Sequence, residues 1–200
     1  MKNTGIVIVV HFVFFLASTT GLTAEKKIPT LKLLKPHSSV YLDDMQEEFY
    51  AVRTGYTLGK RGATGYGEVS SVQFQGGTPA HCLSMHGRPK GDNPLAHARY
   101  KLDKKYVRFT GTVGFSKANT DPSSEVVFQV LGDNKVLWKS ATATTNAFSE
   151  KVDIKIKGCR ELILQVVLTG REGAATSVFV NPQLWYRADA TPKILGSRRK

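Results

Sequence analysis

The stretch Tyr106–Phe115 constrains the fold more than any other, because apolar and polar residues alternate through its whole length. A period of two places successive side chains on opposite faces of an extended chain. One buried and one solvent-facing side are therefore predicted, and no comparable apolar stripe at helical spacing follows the N-terminal region. The face predicted to be buried carries Val107, Phe109, Gly111, Val113 and Phe115.

Alternating stretches of the same kind recur along the chain, separated by turn-forming residues at intervals of about 8 to 15 residues. They are found at 49–58, 69–74, 81–86, 98–102, 126–130, 136–138, 152–156, 162–168 and 178–185. Many short strands with evenly spaced turns predict an all-β fold, an antiparallel β-sandwich.

The stretch Glu125–Ser140 predicts a hairpin within this sandwich. In its first arm every second residue is apolar and is predicted to face inward. Gly132 and Asn134 provide the backbone freedom of a tight turn. Trp138 is predicted to pack in the sheet rather than to bind a ligand. The hairpin is therefore predicted to be framework, and ligand contacts are sought in the loops.

The first 24 residues have the composition of a secretory signal peptide. Lys2 supplies a positive start, residues 5–17 are almost wholly apolar, and small residues lead to a predicted cleavage site after Ala24. At about 13 residues the apolar run is shorter than the roughly 20 that a bilayer-spanning helix needs, so an uncleaved anchor is the less favoured alternative. We therefore expect an exported protein with no stable membrane insertion after cleavage.

The remaining length predicts a single domain with short extensions. Residues 25–37 carry lysines and prolines and are predicted to form a linker. Residues 38–187 are predicted to form the β-sandwich, and residues 188–200 a basic C-terminal tail.

The formal net charge of +12 at pH 7 gives information about binding partners rather than about the fold. A positive surface suits an acidic polymer such as a sulfated or uronic-acid glycan, and export makes nucleic acid the least fitting partner. The basic residues are scattered along the chain, so an ordinary solvated surface is the other interpretation.

Two cysteines, Cys82 and Cys159, leave two alternatives open. In an exported chain an even pair can form a disulfide, which would close a long loop and stabilise the fold by about 4 kcal/mol in the chain-entropy model. The other alternative is two buried, reduced thiols in separate strands.

No sequence motif of an enzyme is found: G-x-S-x-G, H-E-x-x-H and C-x-x-C are all absent. His81 adjoins Cys82, but neighbouring strand residues face opposite sides and would not act together. A non-catalytic protein is therefore predicted, and the sequence defines no metal ligands.

Five segments in succession match the motifs of one known family. Val40–Met45 resembles its "YLSDL" opening, His81–Gly87 its "KGLGVHA"-like strand, and Tyr106–Gly114 its "Y-x-x-F-x-A-x-V-G" core. The stretch "VVFQVLGDNKVLWKS" (126–140) matches "V-x-F-x-V-x-G-D-G-K-x-L-x-x-S", and residues 152–167 resemble its "V-D-V-S-G-x-x-x-L-x-L-x-V" ending. On these segments, residues 38–186 resemble the NPCBM family of carbohydrate-binding modules.

The resemblance implies a galactose-binding-like jelly roll that binds a glycan through loops at one end or rim, without catalysis. It leaves open a structural calcium ion. Where the family reads "D-H-A-D-W-A-D-A-x-L", this chain keeps an aromatic residue at Phe179 and has the amide of Asn181 in place of one acid. The other acids and the histidine are gone, so the alternative is a structural or protein-interaction β-sandwich that has lost the sugar site.

Sugar recognition needs an aromatic face for the C–H side of the ring and polar groups for its hydroxyls. Candidate ligand-binding residues of these types are Asp44, Phe49, Tyr56, His86, Arg88 and Asn181. Because the guanidinium of Arg88 would also pair with a carboxylate or sulfate, the expected partner is a neutral or acidic glycan. A protein partner belongs to the alternative interpretation.

Overall fold

The computed structural model describes five stretches of the chain: 38–66, 71–87, 95–117, 124–170 and 176–186. Contacts divide the chain into Met1–Leu33 and Leu34–Lys200, and all the described residues belong to the second unit. No helix in the described stretches combines the length and the hydrophobicity needed to cross a bilayer.

Four of the predictions above fall outside the described residues. They are the signal peptide (1–24), the linker (25–37), the basic tail (188–200) and the candidate ligand Arg88.

The described residues form eleven β-strands and one 3-10 turn, Leu42–Asp44. The strands are β1 Ser39–Tyr41, β2 Phe49–Ala51, β3 Gly59–Lys60, β4 Cys82–His86, β5 Leu95–Lys101, β6 Tyr106–Phe115, β7 Val126–Gly132, β8 Lys135–Lys139, β9 Ser149–Lys155, β10 Glu161–Leu168 and β11 Thr176–Tyr186.

These strands form two antiparallel sheets. In the first sheet the order is β3-β4-β11-β6-β9, and β1 also pairs with β11. In the second the order is β2-β5-β10-β7-β8. Every strand pair is antiparallel. The predicted fold class, an antiparallel β-sandwich, is confirmed.

The core between the sheets is built around Phe128, which is fully buried in β7. Its ring centroid lies 6.2 Å from those of Phe115 and Phe148 and 5.5 Å from that of Phe179, with the last pair edge to face. Aromatic rings at such separations and angles stabilise a core beyond the area that they bury. Phe179, the residue in the family's aromatic position, is therefore a core residue here and not a sugar platform.

A second, smaller apolar cluster covers the outer face of the first sheet. Val72, Val178 and Val180 are buried there with Cys82, and Phe74 packs against them. A strand was predicted over residues 69–74, but the described residues 71–74 form only isolated bridges to Ala63 and Gly77. Their alternating apolar residues are buried because this segment lies against a sheet, not because it is a strand of one.

The two cysteines are unpaired in the structure. Cys82 belongs to the outer-face cluster, and burial raises the pKa of its thiol to about 11. Cys159 is partly buried against the main core, and burial also raises the pKa of its thiol. The structure therefore corresponds to two separate thiols, and the disulfide alternative is not formed.

The packing around Phe128 predicts a large loss of stability for Phe128→Ala. Removing a fully buried ring that contacts three others leaves a cavity, and such truncations cost about 3–5 kcal/mol. Denaturant unfolding of the purified protein measures the loss. Val136→Ala, at a side chain that is 54% exposed, is the control and should change the free energy of unfolding by less than about 0.5 kcal/mol. Equal effects of the two substitutions would contradict this description of the core.

Candidate functional site

Three aromatic side chains stack at the end of the sandwich where β4 ends. The ring of Tyr56 stacks on that of Tyr66 at a centroid separation of 4.8 Å, and the tilted ring of His86 contacts both, at 4.1 Å from Tyr56 and 6.5 Å from Tyr66. Tyr66 is 58% exposed, whereas His86 is buried at the last position of β4. We call these three residues the tyrosine stack. It presents one aromatic face to solvent and is supported from below by two further rings.

Backbone hydrogen bonds hold the loop that carries Tyr56 against β4. The amide of Arg53 donates to the carbonyl of His86 at 3.2 Å, and the amide of Tyr56 donates to the carbonyl of Arg53 at 3.0 Å. Gly55 adopts a φ of 82°, which an L side chain would disfavour, and so completes the turn. The loop also places the Arg53 guanidinium carbon 5.7 Å from the centroid of the Tyr56 ring, which is a cation–π contact.

The base of the tyrosine stack is an uncharged histidine. The pKa of His86 is lowered from 6.5 to about 4, chiefly by burial; a hydrogen bond to the carbonyl of Thr64 opposes this shift, and the positive charge of Arg53 adds to it. Nε2 of the ring lies 3.2 Å from that carbonyl oxygen, so Nε2 carries the hydrogen and donates it. The hydroxyl of Thr176 lies 3.3 Å from the same nitrogen. His86 is thus fixed in one orientation and is neutral near pH 7.

Asp44, another predicted site residue, belongs to a separate group of charges. Potential ligand atoms of Asp43, Asp44 and His81 lie within 4.8 Å of one another. His81 Nδ1 is 3.2 Å from Asp43 Oδ1, and its ring stacks on Tyr41 at a centroid separation of 3.6 Å. The guanidinium of Arg61 donates to Asp44 Oδ1 at 2.7 Å and 3.2 Å.

This charge cluster does not match the calcium ion that the family resemblance left open. Calcium takes six to eight oxygen ligands. Here one of two carboxylates is already engaged by Arg61, and the third donor is the imidazole nitrogen of His81. The cluster is better described as a network of ion pairs that fixes the 3-10 turn to the start of β4.

Phe49 lies on β2, at the edge of the second sheet, and is 55% exposed. Its ring contacts that of His97 at a centroid separation of 5.5 Å. Both side chains are on the outer face of that sheet, because Tyr50 pairs with the buried Ala98. Phe49 therefore offers a second exposed aromatic face, separate from the tyrosine stack.

Asn181 lies on the outer face of the first sheet, where two cavities adjoin. One has a volume of about 270 Å³ and the other of about 480 Å³, and Thr112 and Asn181 line both. Asn181 has a φ of 48° and lies where the register between β11 and β6 shifts. Its side chain is exposed.

A further cavity, of about 440 Å³, is lined only by charged residues near the β5–β6 turn. Several of these already form ion pairs: Asp103 with Lys101 at 3.6 Å and with Lys105 at 3.2 Å, and Glu161 with Arg99 at 2.9 Å. Such mutual neutralisation leaves this cavity less suited to a specific ligand than the tyrosine stack.

Of the candidate residues, the structure brings together Tyr56 and His86 only. Asp44, Phe49 and Asn181 each lie in a different environment, and Arg88 is outside the described residues. Arg53, whose guanidinium contacts the Tyr56 ring, was not among the predicted site residues, because nothing in the sequence signals that its loop folds back onto His86.

Comparison with known proteins is consistent with this fold. The NPCBM/NEW2 domain matches residues 38–184, so the chain belongs to the NPCBM/NEW2 domain family, whose members include carbohydrate-binding modules. No curated protein matches the chain.

Solved structures with the same fold include CBM51 modules. The module of Clostridium perfringens GH95, solved in complex with methyl-galactose, has a TM-score of 0.58 and 20% identity. The match covers 74% of this chain and 99% of the GH95 module. The tandem CBM51 modules of Sp3GH98 from Streptococcus pneumoniae SP3-BS71 have a TM-score of 0.60 and 18% identity. The match covers 74% of this chain and 47% of the tandem-module chain.

A longer structure contains two such modules together with an M60 catalytic domain, from Clostridium perfringens ZmpB. It has a TM-score of 0.60 and 23% identity and covers 74% of this chain. The match extends over only 15% of that longer chain. At these identities the similarity establishes the fold.

The low pKa of His86 predicts a specific dependence of stability on pH. In the unfolded chain His86 titrates near 6.5, so the unfolded state binds more protons between about pH 4 and 6.5. The stability that neutral His86 contributes is complete above about pH 6.5 and is lost as the pH falls towards 4, by about 3 kcal/mol in total.

We expect His86→Gln to flatten the stability profile in that pH window. Urea unfolding at half-unit steps from pH 4 to 7.5 measures the slope, and His97→Gln controls for the loss of an imidazole elsewhere. An unchanged slope in His86→Gln would show that His86 is not held neutral by the fold.

Proposed function

We propose that this protein is an exported, non-catalytic module that binds a glycan at the tyrosine stack. The observation that carries the proposal is the exposed ring of Tyr66, which is stacked on Tyr56 and thereby on the buried, neutral His86.

The chemistry of the tyrosine stack fits a sugar. A flat aromatic ring accepts the C–H side of a pyranose, and the phenol groups and the Arg53 guanidinium are of the types that bind hydroxyls. Because Tyr56 is fixed by backbone hydrogen bonds and contacts the rings of both Tyr66 and His86, little conformational entropy is lost when a ligand binds.

Family membership supports a glycan as the ligand, and the GH95 module of the same fold binds methyl-galactose in its solved structure. The net charge of +12 and the position of Arg53 also accommodate a glycan with carboxylate or sulfate groups. Neutral and acidic glycans are therefore both included in the proposed ligand class.

The absence of catalysis is proposed on chemical grounds. Glycoside cleavage uses two carboxyl groups on either side of the scissile bond. The neighbouring carboxylates Asp43 and Asp44 are engaged by His81 and Arg61 instead of being available as an acid and base pair. Incubation with bound glycans should therefore yield no cleavage products.

Tyr66→Ala should weaken glycan binding by about tenfold or more, because the substitution removes the exposed aromatic face. A loss of about 1.4 kcal/mol corresponds to that factor. The measurement is titration calorimetry of the purified protein with methyl-galactose and with the best neutral and acidic ligands from a glycan array. Repeating the titrations at higher salt separates charge-driven from ring-driven binding, since salt screens exposed charges.

Phe49→Ala is the matched control, because Phe49 is as exposed as Tyr66 but lies on the edge of the second sheet. It should leave affinity unchanged. Loss of binding in Phe49→Ala with none in Tyr66→Ala would move the site to β2. Failure of every glycan to bind would contradict the proposal and favour the protein-interaction alternative.

Export is tested by producing the chain with its own N-terminus in a cell that has a secretory pathway. The mature protein is expected outside the cytoplasm, and N-terminal sequencing should begin at Glu25. A full-length chain retained in the membrane or the cytoplasm would contradict export.

A further inference from the structure

We infer that the outer face of the first sheet is a second binding surface, which takes a neutral oligosaccharide along β6. The inference goes beyond the tyrosine stack and relies on the proposed function only for the class of ligand. We call this surface the outer-face groove. It consists of the two adjoining cavities that share Thr112 and Asn181.

Aromatic residues mark the two ends of the outer-face groove. Trp185 lies just beyond one end, where its indole N–H donates to the hydroxyl of the lining residue Thr110 at 2.9 Å and the guanidinium carbon of Arg108 lies 5.7 Å from its ring centroid. At the other end Phe74 lies on Gly114, where a Cβ would come within 2.7 Å of the ring. From Thr110 to Gly114 the strand rises about 14 Å, which is longer than a single pyranose.

The floor between these ends carries uncharged polar groups. Thr112, Asn181 and Gln183 line the groove, and their side chains make no hydrogen bond within the described part of the chain. Hydroxyl and amide groups both donate and accept, which is what sugar hydroxyls require.

The backbone at Asn181 is shaped in an unusual way. Thr110 pairs with Gln183 and Thr112 with Val180, so Asn181 and Pro182 together oppose the single residue Gly111. Such a β-bulge redirects side chains and is frequent beside functional sites. Asn181 also has a φ of 48°, a left-handed conformation that costs energy for residues other than glycine and is concentrated at functional sites.

The wall formed by residues 71–79 is firmly held. The amide of Lys117 donates to the carbonyl of Gln73 at 2.6 Å, and Phe74 and Gly77 exchange backbone hydrogen bonds. The amide of Gln73 donates to the hydroxyl of Ser116 at 3.0 Å. A wall held in this way keeps its shape before a ligand arrives, which lowers the entropic cost of binding.

Other ligand classes fit the outer-face groove less well. A peptide that adds a strand would pair with the sheet edge at β9, whereas the uncharged floor of the groove lies on β6 and β11, which are interior strands with paired backbones. Nucleic acid needs several cations along its path. Here Arg108 already forms two hydrogen bonds to Asp153, at 2.6 Å and 2.7 Å, and only Lys151 adds positive charge to the lining.

The test uses neutral β-1,4-linked oligosaccharides of glucose, xylose, mannose, galactose and N-acetylglucosamine, each from one to six units long. For at least one series, affinity should rise about tenfold or more between two and six units. Asn181→Gly combined with Gln183→Ala should abolish that rise, since glycine keeps the positive φ and only the amide groups are lost. Thr112→Val, which removes one hydroxyl at nearly constant volume, should reduce it.

Gln165→Ala is the matched control, because Gln165 pairs with Gln129 on the outer face of the other sheet. It should leave the length dependence intact, and thermal unfolding verifies that each variant is folded. Affinity that is independent of length, or a length dependence that survives the double substitution, would overturn the inference.

Tyr66→Ala in the same assay separates the two proposals. If it weakens binding of single sugars while the length dependence remains, both surfaces are supported. If it has no effect but the double substitution does, the outer-face groove stands and the tyrosine stack fails. If none of these oligosaccharides binds, the groove inference is overturned whatever the glycan array shows for the stack.

Discussion

The whole first sheet depends on the pairing of its last strand, β11. One side of β11 pairs with β6, while the other pairs first with β4 and then with β1, which is the first strand of the domain. The sheet therefore cannot be completed until residues from both ends of the domain have met. Such non-local pairing carries a high entropic cost before any contact compensates it, and it is typical of slowly folding β-sandwiches. The bulge at Asn181 and Pro182 lies where β11 changes partner from β4 to β1.

The same pairing positions the tyrosine stack. His86 and Thr176 pair as the last residue of β4 and the first of β11. Thr176 and the carbonyl of Thr64 both contact the buried imidazole, so the ring of His86 is held by two segments that are distant from it in sequence. Desolvation of His86 keeps it uncharged, and the aromatic surface above it therefore lies on a neutral ring rather than on an ion near pH 7.

The sequence predicted those parts of the fold that local patterns determine. Strand β6 begins and ends at the predicted residues. The hairpin of β7 and β8 was predicted correctly, but of the two residues predicted to supply its turn only Asn134 lies in it: Gly132 ends β7, and Asp133 and Asn134 adopt the left-handed conformation. Residues 71–74 were mispredicted because their alternation reflects packing on a sheet and not pairing within it. For the site, residue type alone identified Tyr56 and His86, but their contact joins positions 30 apart and depends on a loop closed by Arg53. No local pattern encodes such a closure.

The departures from the family motif acquire a physical meaning in this fold. The position that the family gives to an aromatic residue holds Phe179, which packs edge to face on Phe128 and is needed by the core. The position of one acid holds Asn181, on the outer face of the sheet, where a neutral amide replaces a charge. Loss of those acids therefore removes charge from a face of the sheet without disturbing the stack of Tyr66, Tyr56 and His86. The proposed sugar contacts accordingly come from aromatic rings and neutral hydrogen-bonding groups, and not from carboxylates at that segment.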